Sequence, residues 1–238
     1  MASSTIQLQR TINRSSQFAR LEPLLFASNT NNDPAFSNAD WVKQTILAPP
    51  FGWRWNRTIE GTPSAPAFAT TVGESDYSLS LPNFGWLEKA VLYDPQSGYV
   101  ATELQVELLK GEDTLPNVPQ RIAAQMDDGA GTITFRIFPA PDQVYNVVLL
   151  YQNAATLFTN VTNTWTPIPD YMSYIVNDGF DYRTFTYLAD PRAQTSGQNF
   201  YQSLAAMAEG LTESQRNLWL QDRLNSIRQQ NMIQSGRG

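Results

Sequence analysis

The chain of 238 residues contains no cysteine and no histidine. The absence of cysteine excludes disulfide bonds and a thiol nucleophile. The absence of histidine removes the most common general base near neutral pH, and with it a Ser–His–Asp arrangement within one chain. A zinc site of the usual kind is excluded for the same reasons. We therefore predict that the protein is not an enzyme and has no catalytic residue, cofactor or bound metal.

Charged residues are also scarce. They make up 16% of the chain, and the formal net charge is −6. The usual charged share of a soluble domain is roughly 25%. An acidic chain argues against binding nucleic acid through a basic surface. A polar, thinly charged surface with 12% aromatic residues suits extensive protein contact, but it is equally typical of an ordinary β-rich protein with polar loops.

Long apolar runs are missing as well. No stretch of the sequence approaches the roughly 20 apolar residues of a membrane span, so we expect no membrane association. The first 20 residues include Arg10, Arg14 and Arg20 and lack the apolar centre of a signal peptide.

The hydrophobic pattern changes twice along the chain. It is helical before Pro49, alternates with period two between residues 65 and 151, and becomes helical again after Pro169. The sequence therefore predicts an α+β fold, with an antiparallel β-sheet or sandwich domain between N-terminal and C-terminal helices. The expected segments are a helical segment at 1–50, a β-domain at 51–165, and at 166–238 a second helical segment that packs with the first and ends in a polar tail, 229–238.

Local patterns refine this outline. Capping-box sequences at residues 4–7 and 212–215 predict the starts of the first and last helices. Helical spacing predicts two further helices at 37–48 and about 197–209. Residues 144–150 contain few polar side chains and predict a central strand that is buried on both faces.

Aromatic residues are concentrated at residues 51–57. Trp53 and Trp55 alternate there, so in an extended strand both would face one side. We interpret them as core anchors of a first strand, although a ligand-binding platform is the alternative. Tyr145, Tyr151 and Tyr171 are predicted to be further structural anchors.

The last predicted helix has more apolar surface than one packing face requires. Leu220, Leu224 and Ile227 share one side, whereas Leu218 points the opposite way and Trp219 lies on the flank. Exposed apolar surface on a soluble protein usually marks an interface. The candidate contact residues for a partner protein or a neighbouring subunit are Leu218, Trp219, Arg223, Arg228 and Met232.

The acidic residues suggest no site. Asp127 and Asp128 precede Gly129, which is typical of a tight turn. Glu103 and Glu107 share one face of a predicted strand, where a solvated surface explains them. A glycoside hydrolase remains open as an alternative, because two carboxylates suffice for that chemistry.

Spaced residues in the middle of the chain point to a family. The sequence has Phe138-Pro139-Ala140-Pro141-Asp142-x-x-Tyr145, then Leu149-x-Tyr151 and Pro167-x-Pro169-x-Tyr171. Upstream, a helix with a tryptophan leads to Trp53 and Trp55, and then to residues 77–82 and 87–93. Over roughly residues 37–215 the chain resembles the head-to-tail adaptor proteins of tailed bacteriophages, which are also called tail tubular protein A.

The resemblance implies a structural protein of the virion neck, made in the host cytoplasm. Such adaptors form a homo-oligomeric ring, typically of twelve subunits, below the portal. The helical part and the C-terminal segment engage the portal protein, and the β-part faces the downstream tail or nozzle protein. DNA passes through the bore without specific binding. The long loop at 21–36 and the extended C-terminal helix depart from the family pattern.

Two other functions fit the same observations. One is another phage neck or tail component, such as a stopper or tail-tube subunit. The other is a carbohydrate-binding β-sandwich that stacks sugars on Trp53, Trp55 and Trp86.

Overall fold

The computed structural model describes residues 4–21, 34–107 and 115–235, apart from the side chains of residues 126 and 230–235. The α+β prediction is confirmed: helices precede a curled, mostly antiparallel sheet of eight strands, and helices follow it. The chain divides into two compact units. The helical unit comprises Met1–Asn56 with Ala155–Gly238, and the β-unit comprises Arg57–Ala154.

Helices supply the regular structure of the helical unit. Two short 3-10 turns, Arg54–Asn56 and Asp170–Met172, precede the first strand and the third helix. The described α-helices are α1 (Leu8–Ala19), α2 (Pro34–Leu47), α3 (Ser173–Tyr187), α4 (Arg192–Met207) and α5 (Glu213–Ser235).

The helical unit is built around α3. This helix is buried on several sides because it packs against α1, α2 and α4, and α5 in turn packs against α4. Ile175 and Phe180 of α3 are fully inaccessible, as is Phe200 of α4. These helical neighbours explain why apolar side chains occur on more than one side of α3.

Three sequence predictions about the helices are wrong. The capping box at residues 4–7 does not form: Gln7 occupies the N-cap of α1 without a side-chain hydrogen bond, and Ser4 and Thr5 bond to Asp170 instead. The helix predicted at about 197–209 is α4, which begins at Arg192, five residues earlier than the spacing predicts. The tail also does not begin at residue 229, because α5 continues to Ser235.

Most of the predicted loop at 21–36 lies outside the described residues. Its last three residues, from Pro34, already belong to α2. Proline fits this position, because the first residue of a helix needs no hydrogen-bonded N–H.

The β-unit is one curled sheet and not a two-sheet sandwich. Its strand order is β1-β8-β4-β5-β6-β7-β3, with β2 also paired to β8. Every pairing is antiparallel except that of β5 with β6. The strands are β1 (Arg57–Glu60), β2 (Phe68–Ala69), β3 (Asp76–Ser80), β4 (Phe84–Tyr93), β5 (Val100–Val106), β6 (Arg121–Asp127), β7 (Thr132–Phe138) and β8 (Asn146–Asn153).

Aromatic contacts show how far the sheet curls. Phe68, beside β8, stacks on Tyr77 of the edge strand β3, with ring centroids 4.6 Å apart. Phe84 of β4 meets Phe135 of β7 edge to face at 5.6 Å. These rings bring strands that are distant in the sheet order together around one interior.

Strand β8 holds the centre of its half of the sheet. It pairs with β4 along one edge and with β1 and β2 along the other. Val147, Leu149 and Tyr151 are buried on its inner face, whereas Val148 and Leu150 are half-buried. The predicted central position is confirmed, but the second face is only partly covered.

A tight turn separates β1 from β2 on that shared edge. Gly61 adopts φ 84°, and a Cβ at this position would lie 2.2 Å from the backbone nitrogen of Ala67. Only glycine fits both constraints. The β-unit begins and ends on paired strands, because Arg57 lies opposite Gln152.

The predicted boundaries of the β-domain, 51 and 165, both fall inside the helical unit. The segments that precede and follow the β-unit in the sequence carry aromatic side chains that belong to the helical core. They are Phe51, Trp53, Phe158 and Trp165. The chain therefore enters the β-unit at Arg57 and leaves it at Ala154.

Candidate interaction surface

The start of α5 is fixed by the second capping box. The Thr212 hydroxyl accepts a hydrogen bond from the backbone N–H of Gln215 at 3.3 Å. The Gln215 side chain in return accepts one from the backbone N–H of Thr212 at 3.0 Å. This reciprocal pair satisfies two helix-end donors and confirms the prediction made from residues 212–215.

One side of α5 packs on the helical core. Ile227 is 3% exposed, and Leu220 and Leu224 are half-buried against the same core. Among residues 213–229, whose side chains the structure describes, Ile227 is the one buried residue. The helix is thus held along a narrow apolar stripe, as its spacing predicts.

Trp219 lies at the flank of that stripe. Its ring meets Phe51 edge to face at 4.7 Å and Tyr201 at 5.7 Å. The guanidinium of Arg223 lies over the same ring, 5.7 Å from its centroid. Burial raises the pKa of the neighbouring Tyr201 to about 12, so its phenol stays neutral. Trp219 therefore anchors α5 more than it offers a free ring to a partner.

Leu218 projects from the opposite side of α5 and is 71% exposed. Beside it lies a shallow groove of about 730 Å³, hereafter the α5 groove. The groove is lined by Thr212, Glu213, Ser214, Asn217, Leu218 and Gln221. The groove therefore combines one apolar side chain with hydroxyl, amide and carboxylate groups.

The other predicted contact residues follow α5 toward its end. Arg223 and Arg228 are exposed. Met232 belongs to the helix, but its side chain lies outside the described residues. The structure therefore brings Leu218, Arg223 and Arg228 to the surface and places Trp219 between surface and core.

Four of the five predicted aromatic anchors pack as core or beside it. Trp53 is 1% exposed and donates from its indole N–H to the Ile46 carbonyl at 2.6 Å. Trp55 stacks on it at 5.4 Å. Tyr145 and Tyr151 are buried in the β-unit.

Two details of those predictions are wrong. Trp53 and Trp55 do not lie on a strand, because residues 54–56 form a 3-10 turn and β1 begins at Arg57. Tyr171 is 58% exposed and anchors nothing in the core. It lies in the 3-10 turn before α3, where the tighter winding breaks the helical stripe that passes through Ile175.

The acidic residues considered in the sequence analysis form hydrogen bonds within a turn and an ion pair between two strands. Asp127 accepts a hydrogen bond from the Gly129 N–H, and Asp128 accepts from Ala130 and Thr132. These bonds confirm the predicted tight turn. Glu103 pairs with Lys89 at 2.6 Å. Among the described residues, no group of three or more acidic, cysteine or histidine side chains is placed to hold a metal ion.

Sequence reasoning missed a buried ionisable group in α2. Lys43 is 3% exposed; its ammonium donates to the Thr156 hydroxyl at 3.0 Å and lies 4.9 Å from the centre of the Phe158 ring. Asp40, one turn earlier, accepts from the Phe158 N–H at 2.8 Å. Burial lowers the pKa of Lys43 to about 8, although Asp40 opposes this effect. A signal was present, because Ala39, Val42 and Ile46 place Lys43 beside the buried stripe.

A second buried charge joins α1 to α3. Asp181 is 3% exposed and pairs with Arg14 at 2.8 Å. Burial, followed by the charge of Asp181, raises the pKa of the neighbouring Asp178. These groups hold two helices together and lie apart from the α5 groove in the helix order.

No described helix has the length and apolar character that crossing a membrane requires. The chain matches no protein-family model and no curated protein.

Proposed function

We propose that this protein is a head-to-tail adaptor, a structural subunit that forms a ring between the portal and the tail of a bacteriophage. The observation that carries the proposal is α5. This 23-residue helix uses a narrow stripe to pack on its own unit and leaves Leu218 and the α5 groove exposed. A helix of this kind is suited to contacts with other proteins.

The residues behind the family resemblance support the proposal through their packing. Phe138, Tyr145 and Leu149 are buried in the β-unit, and Ile168, between the two spaced prolines, is buried in the helical unit. The order of helices, β-unit and helices also agrees with the resemblance. On this proposal the helical unit contacts the portal and the β-unit contacts the tail or nozzle protein.

The charge balance suits a ring through which DNA passes. A net charge of −6 per subunit repels phosphates, so a bore formed by such subunits lets DNA move without binding it. The predicted ring of about twelve copies follows from the resemblance and is part of the proposal. The ring lies in the neck of the virion.

The carbohydrate-binding alternative loses its main platform. Trp53 is buried and its ring is stacked against Trp55, so these two indoles do not present a flat face to a sugar. This observation favours the adaptor over the lectin-like alternative.

The test is assembly on purified portal protein. Native mass spectrometry should detect rings of the chain bound to the portal. We expect Leu218→Glu to weaken this assembly by about ten-fold or more, because a charge enters an apolar contact. Leu115→Glu is the matched control, since Leu115 is 79% exposed in the β-unit and should leave assembly unchanged.

Two outcomes would contradict the proposal. One is a chain that stays monomeric with the portal and is missing from purified virions. The other is a chain present in virions without affinity for the portal, which would favour a stopper or tail-tube subunit.

A further inference from the structure

A closed ring of identical subunits needs two different surfaces on each copy, because head-to-tail contacts are heterologous. The inference that follows rests on the proposed function and concerns which two surfaces meet. The α5 groove is one candidate. The second must lie elsewhere on the subunit and offer complementary chemistry.

The second surface lies where α1 and α3 end. We call it the α1–α3 end surface, and it consists of Phe18, Arg20, Tyr187 and Leu188. Phe18 is 56% exposed and Tyr187 is 66% exposed. Large aromatic side chains with this exposure are enriched at protein interfaces.

Within this end surface, Phe18 is fixed by contacts with Arg192. The guanidinium of Arg192 lies over the rings of Phe18 and Phe185, at 5.4 and 4.3 Å from their centroids. Arg192 also donates to the Phe18 carbonyl at 2.9 Å and forms a bidentate pair with Asp190. These contacts tie the end of α1 to the start of α4, so Phe18 is held in place before any partner arrives.

The two surfaces consist of different residues on different helices, since the end surface belongs to α1 and α3 and the groove belongs to α5. A contact between the end surface of one copy and the α5 groove of the next is therefore heterologous and repeats in one direction.

Charge favours this pairing. Arg20 is exposed beside the aromatic residues of the end surface, and Asp222, four residues after Leu218 on α5, is exposed as well. In the part of the chain that the structure describes, neither Arg20 nor Asp222 makes an ion pair within its own subunit. Opposite charges that are unpaired in the monomer are available to steer association between copies.

We propose that the α5 groove of one copy receives the α1–α3 end surface of a second copy. Tyr187 enters the groove beside Leu218, and its phenol faces the Asn217 and Gln221 amides. Arg20 faces Asp222 across the same contact.

The absence of cysteine makes a direct test possible. Leu218→Cys and Tyr187→Cys are prepared separately, mixed at high protein concentration and oxidised. We expect a disulfide-linked heterodimer in about ten-fold excess over the control mixture of Leu218→Cys with Tyr99→Cys. Tyr99 is a matched control, because it is a tyrosine with 78% exposure in the β-unit.

Charge reversal gives a second readout. Arg20→Glu should reduce the Leu218–Tyr187 cross-link several-fold, and combining it with Asp222→Arg on the partner copy should restore the yield. A structural role of Arg20 alone would not produce this rescue.

Three results would overturn the pairing of these surfaces: a yield no higher than the control, a Leu218→Cys variant that cross-links equally well to itself, or a lack of charge rescue. Portal-dependent assembly is measured on the same variants under reducing conditions. Rings that form on the portal without the cross-link would reject this contact and leave the adaptor function standing. A cross-link in a chain that does not bind the portal would support this contact and reject the adaptor function.

Discussion

Trp53 and Trp165 are the two largest side chains that are fully buried. Trp53 combines three roles, since it fills the helical core, stacks on Trp55 and donates a hydrogen bond to the end of α2. Its environment was predictable only in part. The sequence indicates that Trp53 belongs to the core. Its position beside α2 depends on contacts that local alternation does not reveal.

Replacing Trp53 tests this role. We expect Trp53→Ala to lower the free energy of unfolding by about 3–5 kcal/mol, because a large cavity forms and the Ile46 carbonyl loses its donor. Chemical denaturation measures the change. Tyr171→Ala is the control and should alter stability by less than about 0.5 kcal/mol, since Tyr171 is mostly exposed. Equal losses in both variants would contradict the assignment.

Lys43 makes stability depend on pH. Its pKa falls from the ordinary 10.5 to about 8 in the folded chain because of burial. Between these two values the unfolded chain binds more protons than the folded one, so stability rises with pH. Relative to Lys43→Met, the wild-type chain should gain up to about 3 kcal/mol as pH increases from 8 to 10.5. Below pH 8 the difference between the two chains should be constant.

Denaturation curves at several pH values measure this difference. Lys89→Met is the matched control, because Lys89 is 42% exposed and pairs with Glu103 at the surface. If the stability of the wild-type chain rises with pH by the same amount relative to Lys43→Met as relative to Lys89→Met, Lys43 is not the source of the rise.

At the scale of single elements, the two capping boxes had opposite outcomes. The box at Thr212 forms with a local partner, since its hydroxyl donates to the Gln215 side chain and accepts from the Gln215 N–H. At the N-terminus, the Asp170 carboxylate accepts from Ser4 and Thr5, and these bonds lower the pKa of Asp170. A partner 165 residues away along the chain overrides the local pattern. Sequence alone predicts the first case and misses the second for this reason.

The cap of α5 has a measurable value. We expect Thr212→Ala to lower the free energy of unfolding by about 1 kcal/mol and to speed amide exchange in the first turn of α5. Hydrogen exchange measured residue by residue detects the effect. Thr5→Ala, in the box that does not form, should leave exchange in the first turn of α5 unchanged.

Strands were easier to predict than their partners. Alternation identifies residues 65–151 as a region of strands, because inner and outer faces differ in polarity. It does not show that β5 joins β6 in parallel at Gln105 and Val106, since pairing is a long-range property. The α5 surface was predictable because Leu218 and the Leu220 stripe point in opposite directions. The α1–α3 end surface was not, because Phe18 and Tyr187 are far apart in the sequence.

The whole molecule contains two separate hydrophobic cores. One belongs to the helical unit and the other to the β-unit. The ends of the β-unit are neighbours on paired strands, where Cα atoms are roughly 5 Å apart. The two chain segments of the helical unit therefore come close together at the point where the β-unit is inserted between them in the sequence.

Replacing residues 57–154 with a short Gly/Ser linker tests this independence. We expect the shortened chain to keep its helical circular dichroism and to unfold cooperatively, because the aromatic residues at 51–56 and 155–165 stay with it. The complementary deletion control begins the linker at residue 51 and so removes Phe51 and Trp53. It should destabilise the unit strongly. Loss of structure in both shortened chains would show that the units depend on each other.

The paired ends of the β-unit also determine how it responds to mechanical load. Force applied between Arg57 and Gln152 acts along the hydrogen bonds that join β1 to β8, because antiparallel ladders run perpendicular to their strands. These hydrogen bonds then break one after another and do not share the load. A sheet held in this way peels from its first strand at low tension, because β1 is only four residues long.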